Sequence, residues 1–200
     1  FEYWGMDALA GMLAQDAALK PHLAPRRMPS VWVEGTTLHH PVDRTSHVPA
    51  GFAELLRACD GQRSAREIAA QVIAGGALDI DDPDEVYGLL GELEERGLIT
   101  WTVEIPTATA HPERELRALL EKAGPAGASG LAALAELEDR RQAVARAAGD
   151  SDALDRALGA LEGSFERITE RRATRAAGQT YAGRTLVYED CRRDIELRLG

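Results

Sequence analysis

Three groups of side chains in this sequence could do chemistry, and spacing decides what each can do. His39 and His40 stand side by side with His47 close behind, on residues that read as strands. Neighbours on a strand point to opposite faces, so the paired imidazoles cannot share an ion without help, and no metal site is expected. Cys59 and Cys191 have no Cys or His at zinc spacing, and two cysteines make no disulfide framework. They fit a reducing, cytoplasmic compartment. The third group lies near the end of the chain. From Phe165 to Arg193 seven Arg face four acids, in a protein whose net charge is −10. Such a local reversal of sign is a binding clue. Within it, Thr185-Leu-Val-Tyr188 reads as a strand that delivers Glu189 and Asp190 to its end, beside Arg184, Arg192 and Arg193.

The elements that must position these groups begin at Ser30. Ser30-Val-Trp-Val-Glu-Gly-Thr-Thr-Leu-His-His40 places β-branched and aromatic residues around a Glu34-Gly35 turn. It continues into an extended Arg44-Thr-Ser-His-Val48, stopped by Pro49. Three helices follow. Phe52, Leu55, Leu56 and Cys59 recur at helical spacing up to Asp60-Gly61. Ser64 and Glu67 form a capping box ahead of Ile68, Val72 and Ile73. Pro83, behind Asp82, opens a helix whose core face is Val86, Leu89, Leu90 and Leu93 and which stops at Gly97. Leu98 to Val103 is the returning strand. Three strands, three helices and a closing strand in this order are a winged helix-turn-helix unit, so the expected class is α+β.

Winged helices commonly read DNA, but the charge here argues against it. The third helix carries Asp84, Glu85, Glu92, Glu94 and Glu95 against Arg96 alone, and a helix among phosphates needs the opposite balance. Residues 28–104 as a whole hold five Arg, no Lys and fourteen acids. An extended peptide is a better partner. It can add a strand to the open edge at Arg44, Thr45, Ser46, His47 and Val48, and bury apolar side chains against the helix at Val86, Tyr87 and Leu90.

The remaining segments frame this unit. Residues 1–27 read as a short helix bearing Met6, Leu9, Met12 and Leu13, then a linker punctuated by Pro21, Pro25 and Pro29, with Arg26 and Arg27 solvated in it. Because the chain opens on Phe1 within a helical pattern, it is expected to be a piece of a longer protein. Residues 105–200 turn helical. One helix runs from Pro112 to Ala123, a break spans Gly124 to Gly130, and a second helix covers about Leu131 to Ala147. A third, capped by Asp150-Ser151, repeats Leu154, Leu158, Leu161, Phe165 and Ile168 as a seam, which predicts an antiparallel pair before the C-terminal strand. The longest uncharged run, Ala123 to Ala135, has thirteen residues and is too short to span a bilayer. No signal peptide is visible.

Two stretches carry a family resemblance. Phe52-Ala-Glu-Leu-Leu-Arg-Ala-Cys-Asp-Gly-Gln-Arg-Ser-Ala-Arg-Glu-Ile-Ala, with Glu85-Val-Tyr-Gly-Leu-Leu-Gly-Glu-Leu-Glu-Glu-Arg-Gly-Leu-Ile-Thr-Trp101, resembles the leader-peptide recognition element of ribosomal-peptide modification enzymes. Ala173-Thr-Arg, Tyr181-Ala-Gly-Arg-Thr and Val187-Tyr-Glu-Asp-Cys-Arg-Arg-Asp194 resemble the N-terminal, glutamyl-transferring domain of class I lantibiotic and thiopeptide dehydratases. The resemblance implies an enzyme that holds a precursor peptide by its leader and uses glutamyl-tRNA as co-substrate, with no other cofactor, to esterify Ser and Thr hydroxyls. Elimination of glutamate, in a separate domain, then leaves dehydroamino acids. It also implies a homodimeric full enzyme in which this chain alone is inactive. On this reading Asp190 matches the acidic residue of the transfer site, and Arg171, Arg172, Arg175, Arg184, Arg192 and Arg193 face the tRNA. Two further readings stay open: a stand-alone peptide-binding chaperone, and a winged-helix transcription regulator.

Overall fold

From the amino end, Tyr3–Leu13 form helix α1, and a 3₁₀ turn follows at Lys20–His22. The computed structural model describes residues 1–42, 44–76, 78–174 and 185–187. Arg26–Arg27 make a two-residue strand, β1. Strands β2 (Trp32–Glu34), β3 (Thr37–His40) and β4 (Arg44–His47) then form an antiparallel sheet in the order β2-β3-β4. The predicted turn joins the first two, with Gly35 at φ +57°, a region that favours glycine.

Helices α2 (Ala50–Ala58), α3 (Ala65–Gly75) and α4 (Pro83–Glu95) follow with the expected punctuation. The Ser64 hydroxyl accepts from the Glu67 amide while the Glu67 carboxylate accepts from the Ser64 amide, so the capping box is complete. Such a cap is worth about 1 kcal/mol. The Asp82 carboxylate accepts from the Asp84 amide at the head of α4, and Pro83 fills the first helical position, where no amide donor is needed.

Two expectations about strands are corrected. The returning strand β5 is only Ile99–Thr100, and it pairs with β1 rather than with the three-stranded sheet. Arg26 and Arg27 are therefore strand residues rather than linker, although Arg26 remains exposed as expected. The Arg27 amide donates to the Cys59 carbonyl, and the Met28 amide to the Leu98 carbonyl. Arg26 Nη2 lies 2.6 Å from the Glu104 carboxylate, whose hydrogen bond and charge together raise the guanidinium pKa. After Thr100 the strand cannot continue, because the Trp101 amide turns to the Glu94 carboxylate and its indole N–H donates to the Lys20 carbonyl.

Helix α5 spans Pro112–Lys122, a 3₁₀ turn covers Gly124–Gly127, and α6 (Ala128–Arg146) starts inside the predicted break. The glycine needed there is Gly127, where a Cβ would lie 2.0 Å from the Leu120 carbonyl oxygen. Helix α7 (Ser151–Thr169) is capped by Asp150, which accepts from two amides. An Arg167–Glu136 ion pair joins α7 to α6 across the Gly149 turn. The strand expected at Thr185–Tyr188 does not form over Thr185–Val187, which bend instead. Their carbonyls already have partners: the Glu2 amide takes Leu186 and the Trp4 indole takes Thr185.

The chain divides into two compact units. One comprises Ala10–Ile105 with Leu116–Leu131 and contains both sheets and α2 to α4. Its core is aliphatic, with Leu55, Leu56, Ile68 and Leu90 fully buried. The other comprises Phe1–Leu9, Pro106–Glu115 and Ala132–Gly200. There Trp4 meets Phe165 edge-on at 5.6 Å, and Leu137, Leu161 and Leu186 are buried.

Candidate functional site

Strand β4 ends its sheet, so one of its edges has no strand beside it among the described residues. Arg44, Thr45, Ser46 and His47 are all exposed, and Val48 is half-buried. Which backbone groups face outward follows from the register. The Val48 amide donates to the Thr36 carbonyl at 3.0 Å, and β3 and β4 pair Leu38 with Ser46 and His40 with Arg44. Bonded and non-bonded pairs alternate in an antiparallel ladder, so Arg44 and Ser46 spend their backbone groups on β3. Thr45 and His47 hold theirs toward the open edge.

The two faces of this sheet differ. On one, Val33, Leu38 and Ser46 lie in a row, Leu38 is buried, and His40 Nε2 lies 3.0 Å from the Ser46 hydroxyl. On the other, Trp32 stacks on His39 with ring centroids 4.7 Å apart, and Trp32 remains half exposed. The two neighbouring histidines therefore point to opposite faces, and among the described residues no group of His, Cys, Asp and Glu side chains could hold a metal.

Of the helix residues matched to peptide binding, Val86 and Leu90 are completely buried and belong to the core. Tyr87 is half-buried, 6.3 Å from the ring of Trp101. Burial, with the nearby Asp84 charge, raises its hydroxyl pKa. Leu89 is also half-buried, so the accessible apolar surface of α4 is offered by Tyr87 and Leu89. Sequence reading missed the group that fixes α4. Lys20 Nζ sits 2.6 Å from the Glu94 carboxylate and 4.7 Å from the centroid of Trp101. These partners lie 74 and 81 positions away, and no local pattern announces them.

At the other end, Arg171 and Arg172 are exposed directly after α7, where the Arg171 amide donates to the Thr169 hydroxyl. Cations suit the C-terminal end of a helix dipole, which accounts for part of their placement. Arg175, Arg184, Asp190, Arg192 and Arg193 lie outside the described residues. Among the described residues, no helix is long and apolar enough to cross a membrane.

No curated protein and no solved structure matches this chain. A family model does: that of the lantibiotic dehydratase N terminus, over residues 3–200. With all but the first two residues matched, the chain belongs to the lantibiotic dehydratase N-terminal family.

Proposed function

We propose that this chain holds the leader segment of a ribosomally made precursor peptide and, within the intact dehydratase, contributes to glutamyl-tRNA-dependent glutamylation of Ser and Thr side chains. Sheet β2-β3-β4 with α2, α3 and α4 acts as a winged-helix recognition element. The leader lies as a fourth strand along β4. The single observation that carries this reading is the open edge of β4, with the backbone groups of Thr45 and His47 directed outward. A strand added there gains main-chain hydrogen bonds whatever its sequence, and side-chain contacts then select among peptides. The regulator reading has less support, because Asp84, Glu85, Glu92 and Glu95 are exposed on α4 and would repel a duplex.

Proline scanning tests the placement. Proline at His47 removes an outward donor and should weaken a labelled leader by about fivefold in fluorescence anisotropy, at the scale of one hydrogen bond of about 1 kcal/mol. Proline at Ser46 removes a ladder donor and should lower binding and sheet stability together. Unchanged affinity in both variants would sink the placement.

A further inference from the structure

Resting on the β4-edge reading, we infer that Arg44 selects the bound peptide: the segment recognised carries an acidic side chain two residues from a large apolar one, both on the Leu38 face of the sheet. The geometry follows from pairing. Arg44 and Ser46 are two apart on β4 and are paired with His40 and Leu38, so they share one face. The bond between His40 Nε2 and the Ser46 hydroxyl is made on that face. A strand added beyond β4 sets one side chain opposite Arg44 and another, two residues along, opposite Ser46. This spacing holds for either direction of the peptide, because side chains on one face recur every second residue.

The chemistry of the two positions is distinct. Arg44 is exposed, and among the described residues no carboxylate pairs with it. Strand β4 itself carries no acid, although the protein's net charge is −10. An acidic side chain opposite Arg44 would form a directly facing opposite-charge pair, and a basic one would be repelled. Opposite Ser46 the requirement is bulk. Ser46 is small and exposed while its neighbour in the row, Leu38, is only 2% exposed. A long apolar side chain can therefore lie over the serine and extend the covered row.

A random-peptide display library selected against the whole chain tests this, with the same selection repeated on Arg44→Glu and with His47→Pro as the control for the edge. The wild-type pool should be enriched in an acid two positions from Leu, Ile, Phe or Met, in either order. The Arg44→Glu pool should replace that acid by Lys or Arg. Single peptides from the first pool should bind Arg44→Glu about three- to tenfold more weakly, with Arg44→Gln between the two. Peptides that bind through the His47-sensitive edge with no acid at this spacing, or equally well to Arg44→Glu, would overturn the selection by Arg44 and leave the edge reading intact. No enriched peptide, or enrichment insensitive to His47→Pro, would overturn the edge reading itself. Thermal melts of the variants separate these results from simple unfolding.

Discussion

Single residues in this protein show how a side chain can be legible in type and illegible in role. Lys20 has no local partner in the sequence, yet in the fold it clamps α4 through Glu94 beside Trp101. Because both partners are partly shielded, Lys20→Met should cost about 1–2 kcal/mol, read as a shift of the urea midpoint. In a double-mutant cycle with Glu94→Gln, the two losses should be less than additive. Val42 is a β-branched residue at φ +62° with 91% of its surface exposed, a conformation that Asn tolerates far better. Val42→Asn should therefore stabilise the protein by about 1 kcal/mol in thermal or urea unfolding. Two ionisable groups set opposite pH limits. Burial works to raise the Asp60 carboxyl, but the amides of Gln62 and Arg63 and the Arg63 guanidinium outweigh it and hold the pKa below the ordinary 3.8. Its contribution is thus present above that value and fades as pH falls through the depressed pKa, so Asp60→Asn should flatten the acid limb of a stability–pH curve. Burial pushes the Cys59 thiol up to about 12 from 9.0, so its contribution is present at neutral pH and is lost as pH rises from 9.0 towards 12. At neutral pH the native thiol should resist alkylation by iodoacetamide and react only on unfolding.

Whole elements were legible where their signals were local. The capping box, the Pro83 start, the Gly35 turn and the Asp150 cap each use residues within a few positions of one another, and each forms as its spacing predicts. Ser64→Ala should accordingly cost about 1 kcal/mol, seen as a lower melting temperature. The strands β1 and β5 were misread for the opposite reason. Two residues are too few to display alternation, and Arg26–Arg27 become a strand only because the Cys59 and Leu98 carbonyls accept from the Arg27 and Met28 amides. The bend at Thr185–Val187 has the same origin, since its carbonyls are claimed by residues near Phe1. The candidate site was legible to a similar degree. Its open strand could be read from composition and turns, whereas the burial of Val86 and Leu90 depends on what packs over them, which periodicity cannot distinguish from an exposed apolar groove.

At the scale of the whole molecule the decisive feature is the separation of charge along the chain. Residues 28–104, which include α4, are acidic in composition, while between 165 and 193 the sequence carries seven arginines against four acids. Duplex DNA should therefore not be retained by the chain at physiological salt in a gel shift, whereas glutamyl-tRNA should engage the arginine-rich end in the intact dehydratase with a strong dependence on ionic strength. Asp190 stands far along the sequence from β4, so the proposed chemistry should be separable from peptide binding. If Asp190 orients the substrate hydroxyl or the aminoacyl amine, Asp190→Asn keeps nearly the same shape and removes only the charge. Glutamyl adducts on the precursor, counted by mass spectrometry, should then fall at least about a hundredfold while leader affinity and melting temperature stay unchanged. A structural Asp190 would instead lower activity and melting temperature together, in proportion to the unfolded fraction. Normal glutamylation by a stable Asp190→Asn enzyme would remove Asp190 from the transfer site and leave peptide recognition at β4 standing.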